Sequence, residues 1–128
     1  MPEQPTILVI DDNDFIRLQI VKFLQSGGWD TVEATGSAQA MEVLHEKADS
    51  IGCMLVDVRM EPEDGFDFLQ KVRAANLTIP SILVTGDENT DILSKASSMG
   101  VVSVLMKPVN RDRLLKMVQR AITISGRS

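Results

Sequence analysis

Four short apolar runs, each followed by a polar residue, constrain what this chain can fold into. Residues 7–10, 54–56, 82–84 and 101–106 are almost wholly apolar. Continuous runs of this length are typical of strands buried on both faces, which occur in parallel sheets. Open parallel sheets bind their ligands just beyond the carboxyl ends of the strands. The polar residues that follow the runs are therefore predicted to meet at one edge of a sheet: Asp11 and Asp12, Asp57, Thr85, and Lys107.

Segments with helical spacing alternate with these runs. A further short strand is predicted at about Asp30 to Ala34, and a weakly patterned helix at about Asn89 to Met99 with Leu93 among its inward residues. Ser37 is predicted to cap the second helix and Asn110 the last. The first helix is predicted to have an apolar stripe formed by Phe15, Ile16, Leu18, Ile20, Val21 and Leu24. Five strand–helix units with short loops predict a doubly wound α/β domain with a five-stranded parallel sheet and helices on both faces.

The length and charge of the chain fit one small domain. Its 128 residues predict a single domain with a core at about 6–121, and 122–128 as a tail or the start of a linker. The formal net charge of −5 argues against direct nucleic-acid binding. No apolar run is long enough to insert into a membrane, and the N-terminus lacks a signal-peptide pattern. Cys53 is the only cysteine and lies within a strand, which favours a buried thiol and a cytoplasmic location.

The polar residues at the predicted edge suggest a chemistry. Three carboxylates in one cleft repel each other unless a cation lies among them. Carboxylate oxygens suit Mg²⁺, which one or two carboxylates commonly hold together with phosphate oxygens. A lysine ammonium can hold an anionic oxygen, and a threonine hydroxyl can donate to the same group. The set therefore suits transfer of a phosphoryl group to a carboxylate.

At these residues the chain resembles the response-regulator receiver domain of bacterial two-component signalling. The resemblance extends from about Thr6 to Ala121, and its motifs occur in the expected order: Asp11-Asp12, Asp57 with Met60 and Asp64-Gly65 downstream, Thr85-Gly86, and Lys107-Pro108. It implies a flavodoxin-like (βα)5 fold with strand order 2-1-3-4-5. It also implies a phosphoacceptor that receives its phosphoryl group from a partner.

The resemblance also implies a role for each matching residue. Asp57 would be phosphorylated, and Lys107 would contact the phosphoryl group, after a cis peptide bond to Pro108. Thr85 would move towards the phosphoryl group on activation. Asp12 and Asp57 would bind Mg²⁺ directly together with the backbone carbonyl of Arg59, and Asp11 would act mainly through water.

Two features depart from the family pattern. The loop after Asp57 usually reads Met-Pro-x-Met-Asp-Gly, whereas residues 60–65 read Met-Glu-Pro-Glu-Asp-Gly here. Val104 stands where the family often has Tyr or Phe, so the usual aromatic switch is absent. Arg59 and Asp87, each two positions after a site residue, have opposite charges and could pair across the cleft.

Two alternatives compete with this interpretation. A haloacid-dehalogenase-type phosphatase would use Asp12 as its nucleophile, but that family places its paired acids after the Thr and Lys rather than before them. A receiver that only docks partners, without phosphorylation, is disfavoured because every residue that the phosphorylation chemistry requires is present.

The sequence therefore predicts a phosphorylatable receiver domain that catalyses only its own phosphorylation and dephosphorylation. Its partners would be a sensor histidine kinase or a histidine phosphotransfer protein, and a downstream output protein or domain. The face formed by the fourth helix, fifth strand and fifth helix would report its state.

Overall fold

The four apolar runs and the short segment Asp30–Ala34 form one parallel sheet. The computed structural model describes residues 4–87 and 89–125. Its strands are β1 (Thr6–Ile10), β2 (Asp30–Ala34), β3 (Ile51–Asp57), β4 (Ser81–Thr85) and β5 (Ser103–Met106). All pairings between neighbouring strands are parallel, and the strand order is β2-β1-β3-β4-β5. This is the flavodoxin-like arrangement that the resemblance implied, in which the order changes direction between β1 and β3.

Within the described residues, five helices connect and follow the strands. They are α1 (Asp14–Ser26), α2 (Ser37–Lys47), α3 (Gly65–Ala74), α4 (Thr90–Ser98) and α5 (Arg111–Ser125), and a short 3₁₀ turn (Ala48–Ser50) precedes β3. The bounds predicted for β2 are confirmed, and the fourth helix lies within its predicted range. The last helix, α5, extends to Ser125, and Ile122 is fully buried. Packed structure therefore continues past the predicted core boundary at residue 121. Residues 126–128 of the predicted tail lie outside the described residues.

The sheet separates two hydrophobic layers because successive strand residues point to opposite faces. On one face Ile7 and Val9 pack with residues of α1 and α5, and Trp29 belongs to this layer. On the other face Leu8 and Ile10 pack with residues of α2 and α3. Every residue of β3 is buried, so this strand lies at the centre of the domain. None of the described helices is both long and apolar enough to cross a lipid bilayer.

Some predicted helix faces are wrong in detail. Phe15 is 79 % exposed and Leu18 is 49 % exposed, so the buried side of α1 is formed instead by Arg17, Ile20, Val21 and Leu24. These four positions recur every three to four residues, whereas Phe15 and Leu18 lie outside that stripe. Leu93 of α4 is likewise exposed, and Ala96 is the buried residue of that helix.

Of the two predicted helix caps one is confirmed and one is wrong, and the predicted burial of Cys53 is confirmed. Asn110 accepts a hydrogen bond from the backbone N–H of Arg113, which confirms the predicted cap of α5. The predicted Ser37 cap is wrong: Gly36 is the N-cap, and Ser37 is already the first helical residue. Cys53 is fully buried, and this burial raises the pKa of its thiol to about 12, so the predicted buried thiol is confirmed.

Candidate functional site

The strand register brings four of the predicted polar residues to the same edge. Ile10, the last residue of β1, pairs with Val56 of β3, so Asp11 just beyond β1 and Asp57 at the end of β3 follow at the same level. Thr85 pairs with Met106, so Lys107 follows one residue past the end of β5. The sequence positions just after buried strands therefore converge because parallel strands end at a common edge of the sheet.

Asp11, Asp12 and Asp57 form an acidic cluster. One carboxylate oxygen from each lies within 4.8 Å of the others. Asp11 and Asp57 are buried, whereas Asp12 is exposed. Three negative charges this close, two of them removed from water, are unfavourable unless positive charge lies nearby. The cluster is therefore suited to a cation.

Lys107 supplies part of that positive charge. Its Nζ donates to Oδ1 of Asp57 at 3.2 Å and lies 3.8 Å from Oδ2 of Asp11. Burial, together with repulsion from Asp11, nevertheless raises the pKa of Asp57 to about 6, and Lys107 offsets this only in part. The lysine alone therefore does not compensate the charge of the buried carboxylate.

Asp11 is held so that one carboxylate oxygen remains available. Its backbone N–H donates to the carbonyl of Ala34, and its Oδ1 accepts from the N–H of Asn13 at 2.8 Å. Its Oδ2 is buried and has no hydrogen-bond partner among the described residues. Within the described part of the chain, its charge is met only by the longer ion pair with Lys107 at 3.8 Å, so the atom retains the capacity to bind a further positive group. The donor set, all carboxylate oxygen, fits a hard cation such as Mg²⁺.

The loop from β3 to α3 passes over the cluster. Oδ2 of Asp12 accepts a hydrogen bond from the backbone N–H of Glu61 at 3.3 Å. The loop ends at Asp64, which caps α3 and forms a reciprocal capping box with Asp67. At Gly65 a Cβ atom would lie 2.5 Å from the backbone oxygen of Asp57, so the glycine allows the helix to start directly against the strand.

Thr85 lies at the end of β4 with its hydroxyl in contact with the next loop. Oγ1 accepts a hydrogen bond from the backbone N–H of Asp87 at 3.0 Å, which leaves the hydroxyl proton free to donate elsewhere. Asp87 in turn forms an ion pair with Arg59, as the opposite charges suggested. Hydrogen bonds from Arg59 and from the backbone of Asn89 hold the pKa of Asp87 below its ordinary value. The peptide bond from Lys107 to Pro108 is cis, as the resemblance implied.

Comparison with known proteins decides the family. The family profile described as the response regulator receiver domain matches residues 7–119. The chain belongs to the response-regulator receiver family. This receiver is 36% identical to a response regulator receiver protein from Pseudomonas putida of known crystal structure, which superposes with a TM-score of 0.85 over 94% of this chain and 99% of that one. A receiver domain protein from Clostridium thermocellum is 27% identical, with a TM-score of 0.89 over 95% of this chain and 97% of that one.

Curated relatives are longer proteins. The transcriptional regulatory protein FixJ from Bradyrhizobium diazoefficiens is 31% identical over 116 residues, which are 91% of this receiver and 56% of FixJ. This receiver spans between about a quarter and just over half of the length of such relatives. Family and strand order together do not favour the haloacid-dehalogenase alternative or the receiver that only docks partners.

One residue of this site was missed by the sequence reasoning. Arg17 is only 8% exposed, and its Nη1 donates to the backbone carbonyl of Asp11 at 2.7 Å. Its position is in register with Ile20, Val21 and Leu24 on the buried side of α1. A charged residue at an inward position of an otherwise apolar stripe is the signal that could have identified it.

Proposed function

We propose that this receiver accepts a phosphoryl group on Asp57 from a phosphohistidine of a partner protein. The observation that carries the proposal is the position of the Asp57 carboxylate, which is buried beside Asp11 and bonded to Lys107. A nucleophilic carboxylate next to a cluster of acids and an ammonium can form an aspartyl phosphate. The family assignment supports this chemistry.

The acidic cluster is proposed to hold Mg²⁺. Asp12 and Asp57 would bind it directly with the backbone carbonyl of Arg59, and Asp11 mainly through water. The three convergent carboxylates support this assignment, as does Oδ2 of Asp11, which is buried and accepts no hydrogen bond from the described residues. When bound, Mg²⁺ would supply positive charge for the oxygens of the phosphoryl group.

The transfer itself requires one bond to form and one to break. A carboxylate oxygen of Asp57 forms a P–O bond while the P–N bond to the donor histidine breaks, and the histidine nitrogen keeps the electron pair. Lys107, now 3.2 Å from Oδ1 of Asp57, is placed to contact the incoming phosphoryl oxygens. The hydroxyl proton of Thr85 is available for a further hydrogen bond to the same group. Apart from this transfer and the later hydrolysis of the aspartyl phosphate, in which water takes the phosphoryl group and the Asp57 carboxylate leaves, the receiver is not proposed to catalyse a reaction.

The partners follow from this chemistry. The donor would be a sensor histidine kinase or a histidine phosphotransfer protein in the cytoplasm, and an output protein or domain would read the phosphorylated state. We propose that the readout uses the face formed by α4, β5 and α5. Ala96 is the only buried residue among those described in α4, so this helix buries little of its surface against the rest of the domain. Its exposed side also places Nζ of Lys95 4.7 Å from the ring centre of Phe66 in α3. Such an element shifts at low cost when charge changes nearby.

The first test is phosphorylation by a small donor. Incubation with Mg²⁺ and acetyl phosphate is expected to add one hydroxylamine-sensitive phosphoryl group, and peptide mass mapping should locate it at Asp57. Chelation of the metal should abolish the labelling. Rapid consumption of acetyl phosphate without accumulation of the adduct, or an adduct on Asp12, would contradict the proposal and indicate phosphatase-like chemistry.

The Arg59–Asp87 ion pair is expected to lengthen the lifetime of the phosphoryl group. These two residues line an open depression together with Gly86 and Lys107, where they could hinder the attack of water. Exposed ion pairs contribute up to about 1 kcal/mol, so Arg59→Ala and Asp87→Ala should each shorten the lifetime by about two- to fivefold. The double variant should decay no faster than the faster single variant, because both remove the same pair.

Loss of labelled phosphate over time after removal of the donor measures this effect. The variant Lys71→Ala breaks another surface ion pair, with Glu63, and serves as the control that should leave the lifetime unchanged. Rates that add in the double variant would show that the two charges act separately.

A further inference from the structure

Asp11 is fixed by contacts on three sides. Its backbone N–H donates a hydrogen bond to the carbonyl of Ala34 in β2. Its Oδ1 accepts a hydrogen bond from the N–H of Asn13, and its carbonyl oxygen accepts one from Arg17. These contacts determine both the direction of the carboxylate and the orientation of the peptide bond that leads into Asp12. Of the polar atoms of Asp11, they leave only Oδ2, which accepts no hydrogen bond from the described residues and lies 3.8 Å from Nζ of Lys107. The geometry of the paired acids therefore depends on the groups that hold Asp11.

Arg17 provides the only side-chain contact to the Asp11 backbone among the hydrogen bonds of the described residues. Its Nη1 donates to the Asp11 carbonyl at 2.7 Å, its Nη2 to Oδ1 of Asp14 at 2.6 Å, and its Nε to Oε1 of Glu33 at 2.9 Å. The guanidinium thus joins α1, β2 and the loop between β1 and α1. A planar group with several donors in fixed directions holds these three elements in one arrangement.

The burial of this arginine is not explained by packing alone. Its side chain is 10% exposed on the face of α1 that otherwise presents Ile20, Val21 and Leu24 to the sheet. An aliphatic side chain at this place would avoid the cost of burying a charge. Its two carboxylate partners are exposed by 79% and 40% and can be solvated without it. The buried group that needs Arg17 is therefore the carbonyl oxygen of Asp11.

We propose that Arg17 is a positioning residue for the cation site, because it fixes the turn that carries Asp11 and Asp12. The inference rests on the proposed function, since it assumes that the acidic cluster binds Mg²⁺. Arg17 does not touch the cation or the phosphoryl group; it acts through the Asp11 carbonyl. Groups that orient metal ligands in this way typically change metal affinity by 10- to 100-fold when removed.

The substitution Arg17→Met tests this role. Methionine keeps a flexible apolar stem but has no donor for the Asp11 carbonyl. It is expected to raise the Mg²⁺ dissociation constant, measured by calorimetry, about tenfold. Phosphorylation by acetyl phosphate should need correspondingly more Mg²⁺ for half-maximal rate, while the rate at saturating Mg²⁺ falls by less than about threefold. Arg17→Lys, which retains one donor group, should restore part of the affinity.

Two control variants separate positioning from general stability. Glu33→Gln weakens a contact of Arg17 but leaves its bond to Asp11, and it should change the Mg²⁺ dissociation constant by less than about twofold. Val21→Ala removes buried volume one turn further along the same helix, and it should lower the melting temperature without changing the affinity. Thermal unfolding in chelator gives the stability of every variant without metal.

The outcomes distinguish this inference from the proposed function. If the wild-type protein binds no Mg²⁺, the proposed function fails. If the wild type binds Mg²⁺ and Arg17→Met binds it within twofold, or if Val21→Ala weakens binding as much, only the positioning role is overturned. Should Arg17→Met not fold, Arg17→Lys decides: a dissociation constant raised threefold or more supports the role, and a smaller change overturns it.

Discussion

Replacement of Asp57 by Asn is expected to reduce phosphorylation by acetyl phosphate at least about 100-fold, because an amide cannot serve as the nucleophile. The other two acids are poor substitutes in this geometry. Asp11 has one oxygen committed to the N–H of Asn13 and is only 1% exposed, and Asp12 is tied to the backbone of Glu61. Asp57 is the carboxylate to which Lys107 donates its hydrogen bond.

The matched control is Asp49→Asn. Asp49 is exposed in the turn before β3, at the end of that strand opposite to Asp57, and its substitution removes the same charge outside the acidic cluster. Its labelling rate should remain within about threefold of the wild type. Both variants should unfold cooperatively, so that lost labelling reports chemistry and not lost structure. Undiminished labelling of Asp57→Asn, or a label transferred quantitatively to Asp12, would reject Asp57 as the acceptor.

The convergence of this site was predictable because it depends on topology rather than on side-chain detail. Once residues 7–10 and 54–56 are recognised as buried parallel strands, the residues that follow them must lie at one edge. Asp11 and Asp57 meet for that reason. The β2 bounds were equally accessible, because Gly27-Gly28 and Thr35-Gly36 enclose a short segment with strand propensity.

What the sequence did not predict depends on tertiary contacts. The spacing of Phe15 and Leu18 is compatible with a wide apolar stripe, but only packing shows that the buried side of α1 is centred on Arg17 and Val21. The bond from Asp12 to the Glu61 backbone joins residues 49 positions apart, and no local pattern encodes it. Ser37 failed as a cap because Gly36 takes that position, a shift of one residue that composition does not determine.

The same Asp57→Asn variant is expected to be more stable than the wild type when no metal is present. Burial and the Asp11 charge raise the pKa of Asp57 from 3.8 to about 6, so ionising this carboxyl in the folded protein costs free energy. One pKa unit corresponds to about 1.4 kcal/mol, which sets an upper limit of roughly 3 kcal/mol. The pKa of about 6 already includes the opposing effect of Lys107, so we expect a gain of about 1–3 kcal/mol at pH 7.5.

The pH dependence of this gain has a definite sign. Between pH 4 and pH 6 the folded wild type holds a proton on Asp57 more often than the unfolded chain does, so its stability falls as pH rises through this window. The loss of stability caused by ionising Asp57 in the folded protein is complete above about pH 7 and absent below about pH 3. The asparagine does not titrate, so the difference between variant and wild type should shrink as pH falls from 7.5 to 4.5.

Urea unfolding in chelator at several pH values measures this difference. Asp49→Asn removes an exposed carboxylate from the turn before β3, at the opposite end of that strand, and should change stability by less than about 0.5 kcal/mol throughout. Added Mg²⁺ should stabilise the wild type by mass action, and Asp57→Asn less, because the variant has lost a proposed ligand. The free-energy cost of keeping Asp57 ionised in the metal-free protein would then be offset when the cation binds. A variant no more stable than the wild type at pH 7.5 without metal would show that Lys107 already compensates the buried charge.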